Sequence, residues 1–395
     1  MFGLADIISP LDLPTFMRDY AYKRAVYVPG PPEKFQHLFG WKEVTDHINS
    51  CRPSFEGVKL VHDKKTLPPT EIARMAHWLS QGATLVINHV QHVDPITEEL
   101  ANSLCREFNS LININCYVSV PSRQGFDCHY DTHDVWILQT AGVKEWKVFE
   151  PTRKFPLDKD PSDEKNKYAK PTEGEYIHCT LKPGDMLYIP RGHWHYALSS
   201  EPCIHLTVSH NNRSGIDFLT FMLNEWRDRE DFLREDFPMY HLADLGGDQP
   251  ADALDAHLAR FRDYVSEAIQ RPEVRERLLQ WALVESPARA RFKLPELAQL
   301  DKHPITPDTV FEIQPTQKVV PHVALNSQIQ LIARGRVVEL EQVPRALVDV
   351  ILGGRPFTGA QLVAAAEGVR WEPVLGLLQQ LLFANLLMLS VPEEA

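Results

Sequence analysis

The stretch "GFDCHYDTHDVWILQ", residues 125–139, sets two imidazoles and three carboxylates directly before the apolar run Val135-Trp136-Ile137-Leu138. In an extended backbone, residues i and i+2 project to the same side. His129 and Asp131, in "HYD", can therefore offer an imidazole nitrogen and a carboxylate oxygen to one ion. A third donor must come from elsewhere, and "KPGDMLYIPRGHWHYAL", residues 182–198, provides it. There Pro183-Gly184-Asp185 reads as a hairpin turn, an apolar strand follows, Pro190-Arg191-Gly192 reads as a second turn, and His195 opens the next strand. His193, two residues earlier, is the alternative third donor. Two histidines and one carboxylate on one face, with other positions open, suit non-heme Fe(II) chemistry. An H-x-D triplet alone is weak in a chain with 17 histidines. Its weight comes from the β run behind it and the P-G-D and P-R-G-x-x-H elements about sixty residues later.

The other polar groups nearby have humbler readings. His133 is a loop residue that lines the site or is satisfied locally. His178, His205 and His210 lie on strand patterns and are expected as buried, hydrogen-bonded groups.

The elements that must position these donors follow from the pattern of apolar residues. The 395-residue chain is long enough for two or three domains, and its 44% apolar and 24% charged residues are those of a globular protein. A net charge of −12 argues against strong non-specific nucleic-acid binding. No run approaches the roughly 20 apolar residues that span a bilayer, and "MFGLADIISPLDLPTF" lacks the marks of a signal peptide. The six cysteines, Cys51, Cys105, Cys116, Cys128, Cys179 and Cys203, contain no C-x-x-C pair. They read as reduced thiols of a cytoplasmic protein.

Toward the N-terminus, "PTEIARMAHWLSQG" predicts a helix stopped by Gly82, and "ATLVINHV" predicts a buried strand. "VDPITEELANSLCREF" predicts a helix with Asp94 as N-cap, Pro95 at its first position, and Ile96, Leu100 and Leu104 on one face. From Leu111 to Ser209 the pattern turns to short strands: "LININCYVSV", "DVWILQT", "EWKVFEP", "YIHCTLKPGD", "MLYIP", "HWHYAL" and "CIHLTVS". Many short strands at close spacing predict a sandwich or barrel of the jelly-roll kind. The polar 152–176 interruption reads as a surface loop or lid. Residues 214 to about 300 turn helical, with Leu254, Leu258, Phe261 and Val265 on one face of the helix at 254–268. "KHPITPDTVFEIQP" reads as a linker. Beyond it, strand "SQIQLIA", a turn at Arg334-Gly335, strand "RVVEL", three helices and a final "NLLML" give the order of a winged helix. Residues 301–395 carry seven Lys/Arg against ten Asp/Glu, so DNA is an unlikely partner for that part.

The pieces "NCYVSVPSRQGFDCHYDTHDVWILQTAGVKEWKVFEP", "PGDMLYIPRGHWHYAL" and "IHLTVS" together resemble the JmjC-domain 2-oxoglutarate oxygenases of the cupin superfamily, nearest to the ribosomal-oxygenase branch. The resemblance is strong over about residues 80–212. It implies an α+β chain whose core is a double-stranded β-helix, with N-terminal α/β elements, a helical dimerisation region and a C-terminal winged-helix-like domain. The corresponding divisions are 1–213, 214–305 and 306–395. It implies Fe(II), with 2-oxoglutarate and O2 as co-substrates, and makes His129, Asp131 and His195 the iron ligands.

By position, Lys144 in "GVKEW" matches the basic residue that pairs with the distal carboxylate of 2-oxoglutarate. Independently, a buried dicarboxylate needs a cation, and Lys144 stands on the strand after the Asp131 segment. Lys147 is its same-side rival. Asn115 and Ser209 match polar co-substrate contacts of the branch. Tyr117 shares the strand face of Asn115, where it lines the pocket or packs in the core. One departure stands out: the branch often carries an arginine-rich hairpin where this chain has "AGVKEW".

The expected reaction is hydroxylation of a side chain in a protein or peptide, a ribosomal protein by resemblance, coupled to release of succinate and CO2. A tailoring hydroxylase for a ribosomally made precursor peptide is an alternative, since a small winged-helix module can bind a leader peptide as an added strand. N-methyl-lysine demethylation is open to the same chemistry. From a different class, the chain could be a metal-binding cupin scaffold without catalysis. A homodimer is expected from the resemblance and from the apolar face at 254–268.

Overall fold

The computed structural model describes residues 2–389 apart from 51–56, 109, 122–126, 159, 161–169, 172, 237–247, 285–303, 317 and 334–335, and not the side chains of 248–253 and 282–284. The Arg334-Gly335 turn and the middle of the 152–176 loop lie outside the described residues. The chain forms two compact units, Met1–Asn212 and Arg213–Ala395. No helix among the described residues is long and apolar enough to cross a membrane.

Among its described residues the first unit holds eleven strands: β1 (Val26–Val28), β2 (Val58–His62), β3 (Lys65–Thr66), β4 (Thr84–Ile87), β5 (Ile112–Ser119), β6 (Asp134–Ala141), β7 (Lys144–Phe149), β8 (Ile177–Leu181), β9 (Met186–Ile189), β10 (Trp194–Ser199) and β11 (Cys203–His210). Eight form one sheet in the order β1-β9-β6-β11-β5-β4-β2-β3, and three form a second, β10-β7-β8. Among the described residues the pairings within both sheets are antiparallel.

Strand β6 explains the apolar run that follows the polar motif. Its alternate residues enter two different cores. Val135 and Ile137 pack with Trp146 and Val148 of β7, Leu181 of β8 and Leu187 and Ile189 of β9, filling the space between the two sheets. Trp136 and Leu138 face the other way, into a larger core with Leu100 and Leu104 of the 95–108 helix and the N-terminal segments. A strand covered on both faces has no polar side to show, so its alternation disappears.

The 95–108 helix begins as expected, with the Thr97 amide donating to the Asp94 carboxylate at 2.7 Å. Its apolar stripe is shorter than the spacing predicts: Leu100 and Leu104 are buried, but Ile96 in the first turn is 44% exposed. The helix expected over 69–82 is instead a 3-10 segment, Pro69–Arg74, followed by a short α-helix, Met75–Ser80. Gly82 ends it in the left-handed region, at φ +87°.

In the second unit, helices span Gly215–Arg227, Asp248–Gln270 and Pro272–Val284. Six strands follow among the described residues: β12 (Val310–Ile313), β13 (Val320–Val323), β14 (Ile329–Ala333), β15 (Arg336–Leu340), β16 (Phe357–Thr358) and β17 (Leu387–Leu389). They make two three-stranded sheets, β16-β12-β17 and β13-β14-β15. Helices Arg345–Ile351, Gly359–Ala364 and Trp371–Phe383 stand between β15 and β17. The expected linker is therefore only partly a linker. Phe311 within it is fully buried and paired with Phe357 and Leu389, partners 46 or more residues away that local sequence does not reveal.

Candidate metal centre and co-substrate cavity

His129 precedes β6, and His195 is the second residue of β10. The two residues exchange main-chain hydrogen bonds, His129 N–H to His195 O at 3.1 Å and His195 N–H to His129 O at 2.7 Å. The Gly192 N–H donates to Asp131 O at 2.9 Å, so the H-x-D segment is stitched to the P-R-G turn. One ligand atom from each of His129, Asp131 and His195 lies within 4.8 Å of the others. His195 Nε2 is 3.6 Å from Asp131 Oδ2, and the two imidazole centroids are 4.5 Å apart.

Both imidazoles are aimed by their far nitrogen. His129 Nδ1 lies 2.7 Å from Asp127 O, and His195 Nδ1 lies 3.1 Å from His193 O. A carbonyl oxygen can only accept, so each Nδ1 carries the proton and each Nε2 keeps its lone pair for a metal. Burial and then the neighbouring His129 push the His195 imidazole down to about 4. Burial alone would raise the Asp131 carboxyl, but the imidazoles of His195, His133 and His129 outweigh it and hold it below its ordinary 3.8. A neutral imidazole and an ionised carboxylate are the forms that bind a cation.

His193 does not join them. Gly192, at φ +87°, reverses the chain, and His193 turns away to Tyr176, whose hydroxyl lies 2.6 Å from its Nδ1. Asp134 is structural as well. Its carboxylate accepts from the Arg191 amide at 2.9 Å, the Tyr188 hydroxyl at 2.8 Å and the Asn212 amide at 3.0 Å.

The three donors open into a cavity between the sheets that also contains Lys144, Tyr117 and His205. Lys144 opens β7 with its side chain buried; Lys147, expected on the same side, is three residues on and so on the opposite, half-exposed face, where it pairs with Glu175. Lys144 Nζ donates to Ser119 Oγ at 2.8 Å and lies 3.4 Å from His205 Nδ1. Among the described residues no carboxylate lies within ion-pair distance of it. Burial pushes the ammonium down to about 8. His205 is fully enclosed and held well below its ordinary range, first by burial and then by Lys144, so it sits beside the ammonium as a neutral ring. Tyr117 stacks on it at 4.9 Å and 6°.

Two expected contacts lie outside the lining of this cavity. Asn115 Oδ1 accepts from the His89 amide at 2.9 Å, and the Ser209 hydroxyl donates to Asn113 O at 3.2 Å. His133 is also outside the lining. The strand positions above Asn115 and below Ser209 do line it: Tyr117 and Ser119 on β5, Thr207 and His205 on β11. Period-two reading of "NCYVS" and "IHLTVS" would have found Ser119, Thr207 and His205. Thr84 enters from β4 by strand pairing alone and carries no local signal. His178, expected buried, is exposed and pairs with Glu145 at 2.6 Å.

Two facing sheets with an H-x-D…H donor set in the cavity between them define a cupin-type metal-binding barrel. Residues 88–218 match the JmjC domain family. The bifunctional lysine-specific demethylase and histidyl-hydroxylase NO66 of Drosophila persimilis is 29% identical over 52% of this chain and 31% of its own length. Ribosomal oxygenase 1 of Bos taurus is 33% identical over 56% of this chain and 33% of its own length. The structure of YcfD, a ribosomal oxygenase from Escherichia coli, covers 97% of this chain and 99% of its own with a TM-score of 0.57 at 19% identity. A second structure of YcfD, in complex with cobalt and 2-oxoglutarate, covers the same shares with a TM-score of 0.56 at 18% identity. Residues 88–218 thus carry a JmjC domain, and the chain's relatives and structural neighbours include ribosomal oxygenases. The chain spans less than half the length of the curated relatives it matches.

Proposed function

We propose that the protein is an Fe(II)- and 2-oxoglutarate-dependent hydroxylase of an amino-acid side chain in a protein or peptide. The observation that carries this reading is a buried cation without a carboxylate partner among the described residues, Lys144, in the same cavity as a histidine–aspartate–histidine donor set. The residues fit both groups. Two imidazole nitrogens and one carboxylate oxygen suit a divalent ion with open positions. A buried ammonium with a hydroxyl beside it suits the far carboxylate of a small dicarboxylate.

Bound together, Fe(II) and 2-oxoglutarate supply oxidative decarboxylation by O2, with succinate and CO2 released and one oxygen atom delivered to a substrate C–H bond. The protein's own part is placement. His129, Asp131 and His195 hold the metal from one side and leave the cavity side open. Lys144, steadied by Ser119, neutralises the distal carboxylate. Trp146 and Ile137 make the wall apolar and keep water from the reacting centre. Retention of Lys144 disfavours a scaffold, because a metal-only role has no use for a buried ammonium that costs stability.

The relatives named as ribosomal oxygenases and as a histidyl hydroxylase support a ribosomal protein as the substrate class. The helices at 215–227 and 248–270 leave Ile216, Leu219, Leu223, Leu254, Leu258 and Phe261 exposed, which supports a dimerisation role for the helical region. The helices and the β13-β14-β15 sheet of residues 306–395 support a winged-helix-like module. Cys105, Cys116, Cys128, Cys179 and Cys203 are all free thiols, as suits a reducing, cytoplasmic setting.

Anaerobic titration with Fe(II) and 2-oxoglutarate tests the reading. A visible metal-to-ligand charge-transfer band is expected, absent in His195→Ala and weakened in Lys144→Ala. No band in the wild type, with zinc or nothing bound, would return the chain to the scaffold class.

A further inference from the structure

Two segments far apart in sequence, at Lys64 and Lys170, converge on Asp127, two residues before His129. Lys64 Nζ lies 3.1 Å from Asp127 Oδ1, and Lys170 Nζ lies 2.8 Å from Oδ2. The Cys128 amide donates to Oδ1 at 2.9 Å. The main-chain oxygen of the same residue takes the Nδ1–H of His129 at 2.7 Å. The carboxylate is thus pinned from two sides, and the carbonyl on its backbone aims a donor of the metal site.

The hairpin that presents Lys64 is built at a cost. Asp63 and Lys64 link β2 to β3 as a two-residue turn, with φ of +46° and +66°. Both central positions of such a turn need the left-handed region, where glycine is preferred at the second. This chain keeps a lysine there, and that lysine reaches Asp127. The other histidine donor is supported differently: His195 is aimed by the carbonyl of His193, whose ring is buried and bonded to Tyr176. One donor therefore rests on a neutral pair, with His193 buried and Tyr176 partly so, and the other on a half-exposed ionic one, with side-chain exposures of 48%, 47% and 31% for Lys64, Asp127 and Lys170. Salt screens exposed charges and spares buried neutral groups.

We propose that Asp127 is a positioning residue: the Lys64–Asp127–Lys170 clamp fixes the carbonyl that orients His129 and makes the metal affinity of the site depend on ionic strength. The proposal rests on the metal-site reading above. Groups that orient a metal-bound histidine are worth about 10–100-fold in metal affinity, and an exposed clamp belongs at the lower end.

The test is Co(II) binding to the full chain, followed by its visible absorption at 50 mM and 500 mM NaCl. Asp127→Asn keeps the shape and an acceptor for Cys128 but removes the charge; a Lys64→Ala/Lys170→Ala double variant removes the partners from outside. Both are expected to bind Co(II) about tenfold more weakly than wild type at low salt, with a flatter salt dependence. A purely structural role for Asp127 would lower affinity without changing that slope. Wild-type affinity and slope in both variants would overturn the clamp alone. So would weak binding by Asp127→Asn beside wild-type behaviour of the double lysine variant. Failure of the wild-type chain to bind Co(II) at all would overturn the metal reading and the clamp with it.

Discussion

Lys144→Met is the sharpest perturbation, because it separates the function of the buried ammonium from its cost. Burial lowers Lys144 from its ordinary 10.5 to about 8. At about 1.4 kcal/mol for each factor of ten in proton affinity, that is about 3 kcal/mol held against the charged form in the folded chain. Methionine keeps the length and lies well beside Trp146, but it leaves Ser119 without its partner, an offset of about 1 kcal/mol. The ligand-free variant should therefore be more stable than wild type by about 1–2 kcal/mol at pH 7. In a unit of this size that raises the melting temperature by about 2–8 °C.

The pH dependence has a definite sign. Between pH 8 and 10.5 the unfolded chain holds a proton that the folded chain has released, so wild-type stability rises with pH and the advantage of the variant shrinks. Added Co(II) and 2-oxoglutarate reverse the order. At a hundred times its dissociation constant the dicarboxylate stabilises wild type by about 3 kcal/mol and leaves the variant nearly unmoved. Thermal unfolding at pH 7 and 10, with and without both ligands, reads all of this. A variant that melts below wild type without ligand, or that gains as much as wild type from 2-oxoglutarate, refutes the reasoning.

Three further outcomes follow from the same structure. His210 is buried against Phe108 and pushed down to about 4, mainly by burial. As pH falls from 6.5 to 4, wild type should lose about 3 kcal/mol of stability that it holds in full above 6.5. His210→Phe should flatten that slope in acid unfolding curves. Gly192→Ala forces a side chain into the left-handed region, with its Cβ 2.8 Å from Pro156 Cδ and 2.9 Å from Arg153 O. It should cost more than about 1 kcal/mol in urea unfolding and weaken Co(II) binding, since the Gly192 amide anchors Asp131. Leu223→Asp, on the exposed face of the 215–227 helix, should turn a dimer into a monomer in light scattering; a dimer that survives the change argues for another interface.

Where the sequence was legible, one local rule decided the outcome. Strands β6, β8, β9 and β10 are each short runs closed by a turn, and the two turns around β9, at Pro183-Gly184-Asp185 and Pro190-Arg191-Gly192, lie where glycine takes positive φ. The donors His129, Asp131 and His195 converge because turns and strand pairing bring the two motifs together. What was not legible depended on partners distant in sequence. Phe311 looks like part of a proline-rich linker until Phe357 and Leu389 cover it. Ile96 fits the helical stripe, yet it is exposed while Thr97, beside it in the first turn, is buried. His193 and His195 have the same parity, but His193 still belongs to the Pro190–His193 turn, with its ring at Tyr176, while His195 stands in β10 and lines the cavity.

The cavity wall shows the same division more finely. Strand parity places Asn115, Tyr117 and Ser119 on one face of β5, and His205, Thr207 and Ser209 on one face of β11. Parity says nothing of depth along the strand. Depth is set by register: Thr207 lies opposite Asn115, Ser199 opposite Lys144, and Cys203 opposite Ser119. These pairings bring Lys144 level with Ser119 and His205, and leave Asn115 and Ser209 toward the other end, each bonded to main chain. A co-substrate held at Lys144 therefore meets Ser119, Tyr117 and His205 before it meets Asn115 or Ser209. Ser119→Ala should then weaken 2-oxoglutarate binding more than Ser209→Ala does, in calorimetric titration of the Co(II)-loaded chain. The reverse order would mean that the dicarboxylate lies along the strands from the other end of the cavity.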